Sequence, residues 1–170
     1  MAERKLYLSN KLITILFIYY LILFIIGIIS SIAVIEDIFN LQLTITLKSI
    51  LGGIGMTLSG SSIYYTRKLY KTSFQNGKIE IASTSNYKEK LATMVYFLSR
   101  PLFSIVFTIL LIIGIKSGIV LATESTVDLS ERFIYLIMFF SFFLGFSSGK
   151  FINKLESKGS ILLDKTLKED

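Results

Sequence analysis

Ser49, Gly53, Thr57 and Ser61 recur every fourth residue through one apolar stretch, and Ser141, Gly145 and Gly149 repeat that spacing in another. Residues four apart share a helix face. Two kinds of chemistry suit glycines and hydroxyls arranged this way. The stripe can let helix backbones approach closely where lipid supplies no hydrophobic drive for association. It can instead line a narrow pore around an oligomer axis, with hydroxyls and exposed carbonyls replacing part of an ion's hydration shell. The same residues serve both uses, so the choice stays open at this point. Gly52, Gly55, Ser59 and Ser62 give the same stretch a second small face, as expected of a central helix, and Gly114 and Gly118 lie near the end of a third stretch.

Other chemistry is scarce. The chain has no histidine and no cysteine, which removes the usual general base, the commonest metal ligand and the thiolate nucleophile. Gly52-Gly53-Ile54-Gly55 lacks the Gly-Lys-Ser/Thr ending of a phosphate-binding loop and sits in an apolar run. Serine occurs without histidine, no paired carboxylates converge, and no Asp or Glu falls in the middle of an apolar stretch. The expectation is a protein that is not an enzyme and has no metal or cofactor. Lys48 and Lys116 lie a few residues inside the ends of their stretches. They either snorkel toward Glu36, Asp37, Glu124 or Asp128, or form a cationic ring at an outer mouth.

The elements that must carry these residues are apolar runs. Hydrophobic residues make up 52% of the chain and charged ones 18%, against about 45–50% and about 25% in soluble domains. Charge-poor stretches of about 18 residues or more read as bilayer spans. Four such spans are assigned to 12–35, 43–65, 101–122 and 133–149. The first is far longer than the core of a signal peptide, about 7–15 residues, and no Ala-x-Ala follows it. It is read as a retained helix that faces lipid over most of its surface, with Phe17, Tyr19, Tyr20 and Phe24 as its aromatics.

Charge sets the orientation. Of eighteen Lys and Arg residues, only Lys48, Lys116 and Arg132 fall on one side of these spans. Basic residues near span ends stay cytoplasmic, so the N-terminus (1–11), the loop 66–100 and the tail 150–170 are placed inside, and 36–42 and 123–132 outside. The +6 net charge is then a juxtamembrane feature. Arg67, Lys68, Lys71, Arg100, Lys150 and Lys154 are candidates for contact with anionic lipid or with a cytosolic protein partner, and no direct nucleic-acid binding is expected.

Arg100-Pro101 reads as the inner start of the third span, after an interfacial segment over 90–99 whose Met94, Val95, Phe97 and Leu98 face lipid. Residues 73–81 resemble a small β-hairpin turning at Asn76-Gly77. The fourth helix is expected to stop at Gly159, and the short segment after it to lie on the membrane or dock on a protein. Ile25-Ile26-Gly27-Ile28 matches Ile112-Ile113-Gly114-Ile115 at an offset of 87. Tandem duplication and chance matching of Ile-rich helices both explain it.

The fold class expected is an all-α integral membrane protein of four helices in two hairpins, both termini inside. Composition suggests an AT-biased bacterial gene and hence the inner (cytoplasmic) membrane. The function expected is a homo-oligomeric pore-forming or signal-transmitting subunit controlled from its cytosolic face by a soluble partner. By analogy of build this extends to bacterial phage defence. The alternatives are a non-conducting scaffold, immunity or accessory subunit, and a small uncoupled transporter.

The absence of cysteine makes the topology directly testable. A Ser125→Cys variant should react with an impermeant maleimide in intact cells, and Ser83→Cys only after lysis. The opposite pattern would reverse the orientation.

Overall fold

A computed structural model of the chain describes residues 6–7, 9–38, 43–75, 79–80, 87–123 and 131–166. Four long helices dominate it: α1 (Asn10–Ile35), α2 (Ile45–Tyr70), α3 (Tyr87–Thr123) and α4 (Glu131–Thr166). Local sequence explains how the first two start. Ser9 accepts a hydrogen bond from the Leu12 N–H at 3.4 Å, and Thr44 does the same for Leu47 at 3.4 Å. Both satisfy amide groups that have no partner within a helix's first turn.

Helix α2 is the centre of the arrangement. It packs most extensively on α4, then on α1, then on α3, while α1 meets α3 only over a short stretch. Its buried side is made of small residues, including Ser49, Gly52, Gly53, Gly55, Thr57, Ser59, Gly60 and Ser61. Larger side chains build two cores. Ile13, Leu16, Tyr20, Tyr65, Leu69 and Phe97 cluster at the end carrying Arg67, Lys68 and Arg100, called here the basic end. Ile112, Phe133 and Ile137 cluster toward the far end.

Three segments are long and apolar enough to cross a membrane: Asn10–Ile35, Lys90–Gly118 and Glu131–Gly149. Helix α2 is as long as α1, at 26 residues, but is not among them. The glycines and hydroxyls that let it pack so closely dilute its apolar character.

Several expectations are corrected. Residues Lys71–Gln75 form a π-helical turn that continues α2 and not the first strand of a hairpin, and Asn76-Gly77 lies outside the described residues. The strand β2 (Ile79–Glu80) pairs in parallel with β1 (Leu6–Tyr7), Leu6 opposite Ile79 and Tyr7 opposite Glu80. The N-terminal segment thus supplies the partner. Helix α4 continues through Gly159 to Thr166; one glycine weakens a helix by only about 1 kcal/mol and need not end it.

The largest correction concerns Pro101. It lies inside α3, which is continuous from Tyr87, and Phe97 is fully buried instead of facing lipid. Proline has no N–H to give the carbonyl four residues back, which here is that of Phe97. A tyrosine of α1 supplies the donor instead, and its neighbour bonds the next carbonyl. The Tyr20 hydroxyl donates to the Phe97 carbonyl at 2.7 Å, and the Tyr19 hydroxyl to the Leu98 carbonyl at 3.4 Å. The proline is tolerated mid-helix because a neighbouring helix takes over the freed acceptor, as in other apolar surroundings.

This predicts a coupled pair. Tyr20→Phe should destabilise the protein by about 1–3 kcal/mol by leaving a buried carbonyl unpaired. A Pro101→Ala background restores a backbone N–H at that position to serve the Phe97 carbonyl, and there the loss should shrink by about 1 kcal/mol. Equilibrium unfolding in detergent measures both, and strict additivity would count against the exchange of donors.

Candidate functional site

The small residues of α2 and α4 meet in one seam. A Cβ at Gly145 would fall inside contact distance of the Thr57 carbonyl and 3.0 Å from the Ser61 amide nitrogen, and one at Gly60 would strike the Phe142 carbonyl. Backbone therefore lies on backbone across this crossing. A Cβ at Gly53 would sit 3.1 Å from Ile137, Ser141 and Thr108, and one at Gly149 2.9 Å from the Tyr65 hydroxyl. Ser49, Thr57, Ser61 and Ser141 are all fully buried. The stripe named from the sequence is thus covered by α4 and α3 of the same chain.

The hydroxyls point largely to their own helices. Ser49 Oγ donates to the Ile45 carbonyl at 2.8 Å and Ser61 Oγ to that of Leu58 at 3.1 Å. Thr57 is the exception and joins three helices. Its Oγ1 contacts Thr108 Oγ1 of α3 and donates to the Ser141 carbonyl of α4 at 2.8 Å, while Thr108 Oγ1 reaches the Ser104 carbonyl at 3.2 Å. Two hydroxyl protons serve three contacts, so one of the three goes without a proton at any instant.

The second small face of α2 packs on α1. Gly55 lies against Gly27 and Ser31, and Ser59 against Gly27. The position that matches Gly27 in sequence behaves differently: Gly114, like Gly118, has nothing within 4 Å of where a Cβ would sit. The Ile-Gly match between the halves does not extend to equivalent packing.

At the far end, Lys48 pairs with Asp37 at 3.0 Å. Lys116 Nζ donates to Thr46 Oγ1 at 3.4 Å, and Glu124 and Asp128 lie outside the described residues. Asp37 itself has a positive φ of 48°, a conformation that Asp tolerates better than most residues. Lys48 thus meets the turn that follows α1, and Lys116 the first turn of α2.

At the basic end, Tyr96 gathers two cations. Lys68 Nζ donates to its hydroxyl at 2.9 Å and lies 5.1 Å from its ring centroid, while the Arg100 guanidinium carbon lies 4.4 Å from that centroid. Arg100 is nearly buried, and its Nη1 has no hydrogen-bond partner. Around them run ring contacts Tyr20–Tyr65, Tyr64–Tyr65 and Tyr96–Phe97, and Tyr65 reaches Ser148 Oγ at 3.5 Å. Arg67 and Lys71 are exposed nearby. Lys150 and Lys154 lie on α4, their side chains outside the described residues. Among the described residues, no three metal-ligating side chains come together.

No protein family, curated protein or solved structure matches this chain. The residues themselves must carry the functional reading. Those that sequence reasoning passed over are Gly60, Thr108 and the tyrosine cluster. Thr108 was within reach, since Ser104 and Thr108 are four apart on the third span just as the residues of the α2 stripe are. The tyrosines gave no such signal, because their partners are carbonyls and rings on distant segments.

The seam predicts a sharp contrast between glycines of one type. Gly145→Leu should cost about 3 kcal/mol or more, since backbone cannot yield as a side chain can. Gly114→Leu should stay within about 0.5 kcal/mol. Thermal unfolding of the two detergent-solubilised variants checks this.

Proposed function

We propose that the chain is a non-enzymatic multi-pass protein of a bacterial inner membrane, with both termini cytoplasmic. It works as a homo-oligomeric signal-transmitting subunit engaged by a soluble protein at its basic end. The membrane part of this reading is supported by an inversion of the soluble pattern. Ile22, Ile29, Leu102, Leu110 and Phe139 are about half exposed or more, while the helix at the centre buries glycines and hydroxyls. A large exposed apolar surface of this kind suits lipid.

The observation that carries the signalling reading is the length of α3 and α4. At 37 and 36 residues they run about 55 Å each, against a hydrocarbon core of about 30 Å. On this reading they continue without a break from the membrane into the cytosol. A partner bound to either projection would act on the seam through a rigid rod. The closed interior favours transmission over conduction, since the hydroxyl stripe is occupied by neighbouring helices of the same chain.

Two measurements test the proposal. Liposomes containing the purified oligomer should show no ion flux above empty liposomes. A soluble protein should co-purify from native membranes with the full chain and be lost on truncation after Gly149. Flux from a defined oligomer would replace this reading with a pore, and a chain that neither conducts nor captures a partner would be a scaffold.

A further inference from the structure

Helices α1 and α2 leave a groove of about 600 Å³ between them near the basic end. Its walls include Leu21 and Phe24 from α1 and Ser62, Ile63, Thr66 and Arg67 from α2. Almost all of its surface is hydrocarbon or aromatic carbon, and beside the hydroxyl of Thr66 two polar features stand out. Ser62 is buried, and its Oγ has no hydrogen-bond partner. Arg67 is exposed at the end nearest the basic face, and no described residue forms an ion pair with it. The two are five positions apart, so the backbone of Ser62 lies about 7–8 Å deeper along the helix axis than that of Arg67.

The groove thus orders three kinds of chemistry along α2: a cation at Arg67, the Thr66 hydroxyl beside it, and an apolar trough that begins at Ile63 and runs past Ser62. A phospholipid presents the complementary order of phosphate, ester carbonyls and acyl chain. Guanidinium is the side chain best matched to phosphate oxygens. We infer that this groove is a binding site for one anionic phospholipid of the surrounding bilayer. Its phosphate meets Arg67, its ester region lies beside Thr66, and one acyl chain fills the trough along Ile63, Leu21 and Phe24. Because Tyr20 also lines the groove and holds the Phe97 carbonyl of α3, the lipid would touch the joint between α1 and α3.

The inference rests on the membrane reading above, and the test separates the two. Membranes carrying the protein are first extracted with alkaline carbonate. Protein released to the supernatant sinks both readings. Protein kept in the pellet is purified and offered equal amounts of phosphatidylglycerol and phosphatidylcholine, and native mass spectrometry counts the lipid retained. The expected result is one lipid per chain with about fivefold preference for phosphatidylglycerol, the factor that one juxtamembrane basic residue contributes. Arg67→Gln should remove the preference but keep the adduct, and Ile63→Trp, which fills the trough from an exposed position, should remove the adduct with either lipid. Equal retention of both lipids by the unmodified chain overturns the inference. So does a preference that survives Arg67→Gln, or an adduct that survives Ile63→Trp.

Discussion

Everything else in this bundle depends on how closely α2 can approach α4. At Gly60 and Gly145 there is no room for even one methyl group between a helix and a carbonyl of its neighbour. Such contact brings many atoms into van der Waals range at once, and dispersion is the main attraction left when lipid removes the hydrophobic drive. It also sets the axis of α2, which then presents its opposite small face to Gly27 and Ser31 of α1. Thr57 adds direction to this proximity. Its hydroxyl ties α2 to both α3 and α4 at a buried point, so sliding any of the three along its axis would strand polar groups in an apolar interior.

The basic end obeys a different rule. There the packing elements are large, with tyrosine rings gathered from α1, α2 and α3 and two cations on one of them. Aromatic side chains with a polar tip suit a zone that is apolar on one side and wet on the other. Tyr20 repairs the helix that Pro101 interrupts and Tyr19 bonds the next carbonyl, so the joint between α1 and α3 is specified by hydrogen bonds and not by close backbone contact. One end of the protein is held by small residues in the seam and the other by a polar-aromatic lattice.

How much of this was legible follows from the range of each interaction. The long apolar segments, the small stripe on α2 and the matching stripe on α4 repeat every few residues, and a local pattern reports them well. The Lys48–Asp37 pair was also within reach, because only a short connection separates the two residues. What escaped depends on distant partners. Pro101 reads locally as a helix start, and only the Tyr20 hydroxyl, 77 positions before the carbonyl it serves, makes an interior place tolerable. Asn76-Gly77 is a good turn signal, yet the strand after it found its partner at the N-terminus. Gly114 resembles Gly27 in its immediate neighbours and differs in what lies across from it, which no short window records.

The two-residue ladder between β1 and β2 is small, but it ties the order of synthesis to the final structure. Leu6 and Tyr7 can pair with Ile79 and Glu80 only when both segments lie at the same end of the α1–α2 pair. The ladder is therefore a geometric statement that the start of α1 and the segment after α2 lie side by side. At a synthesis rate of about 5–20 residues per second, the first strand waits on the order of 4–15 s before its partner exists. During that time the start of α1 has no strand to anchor it. When the ladder closes, it joins the two ends of the α1–α2 unit, and β1 also packs against α3, so the same short strand ties that unit to the helix that follows.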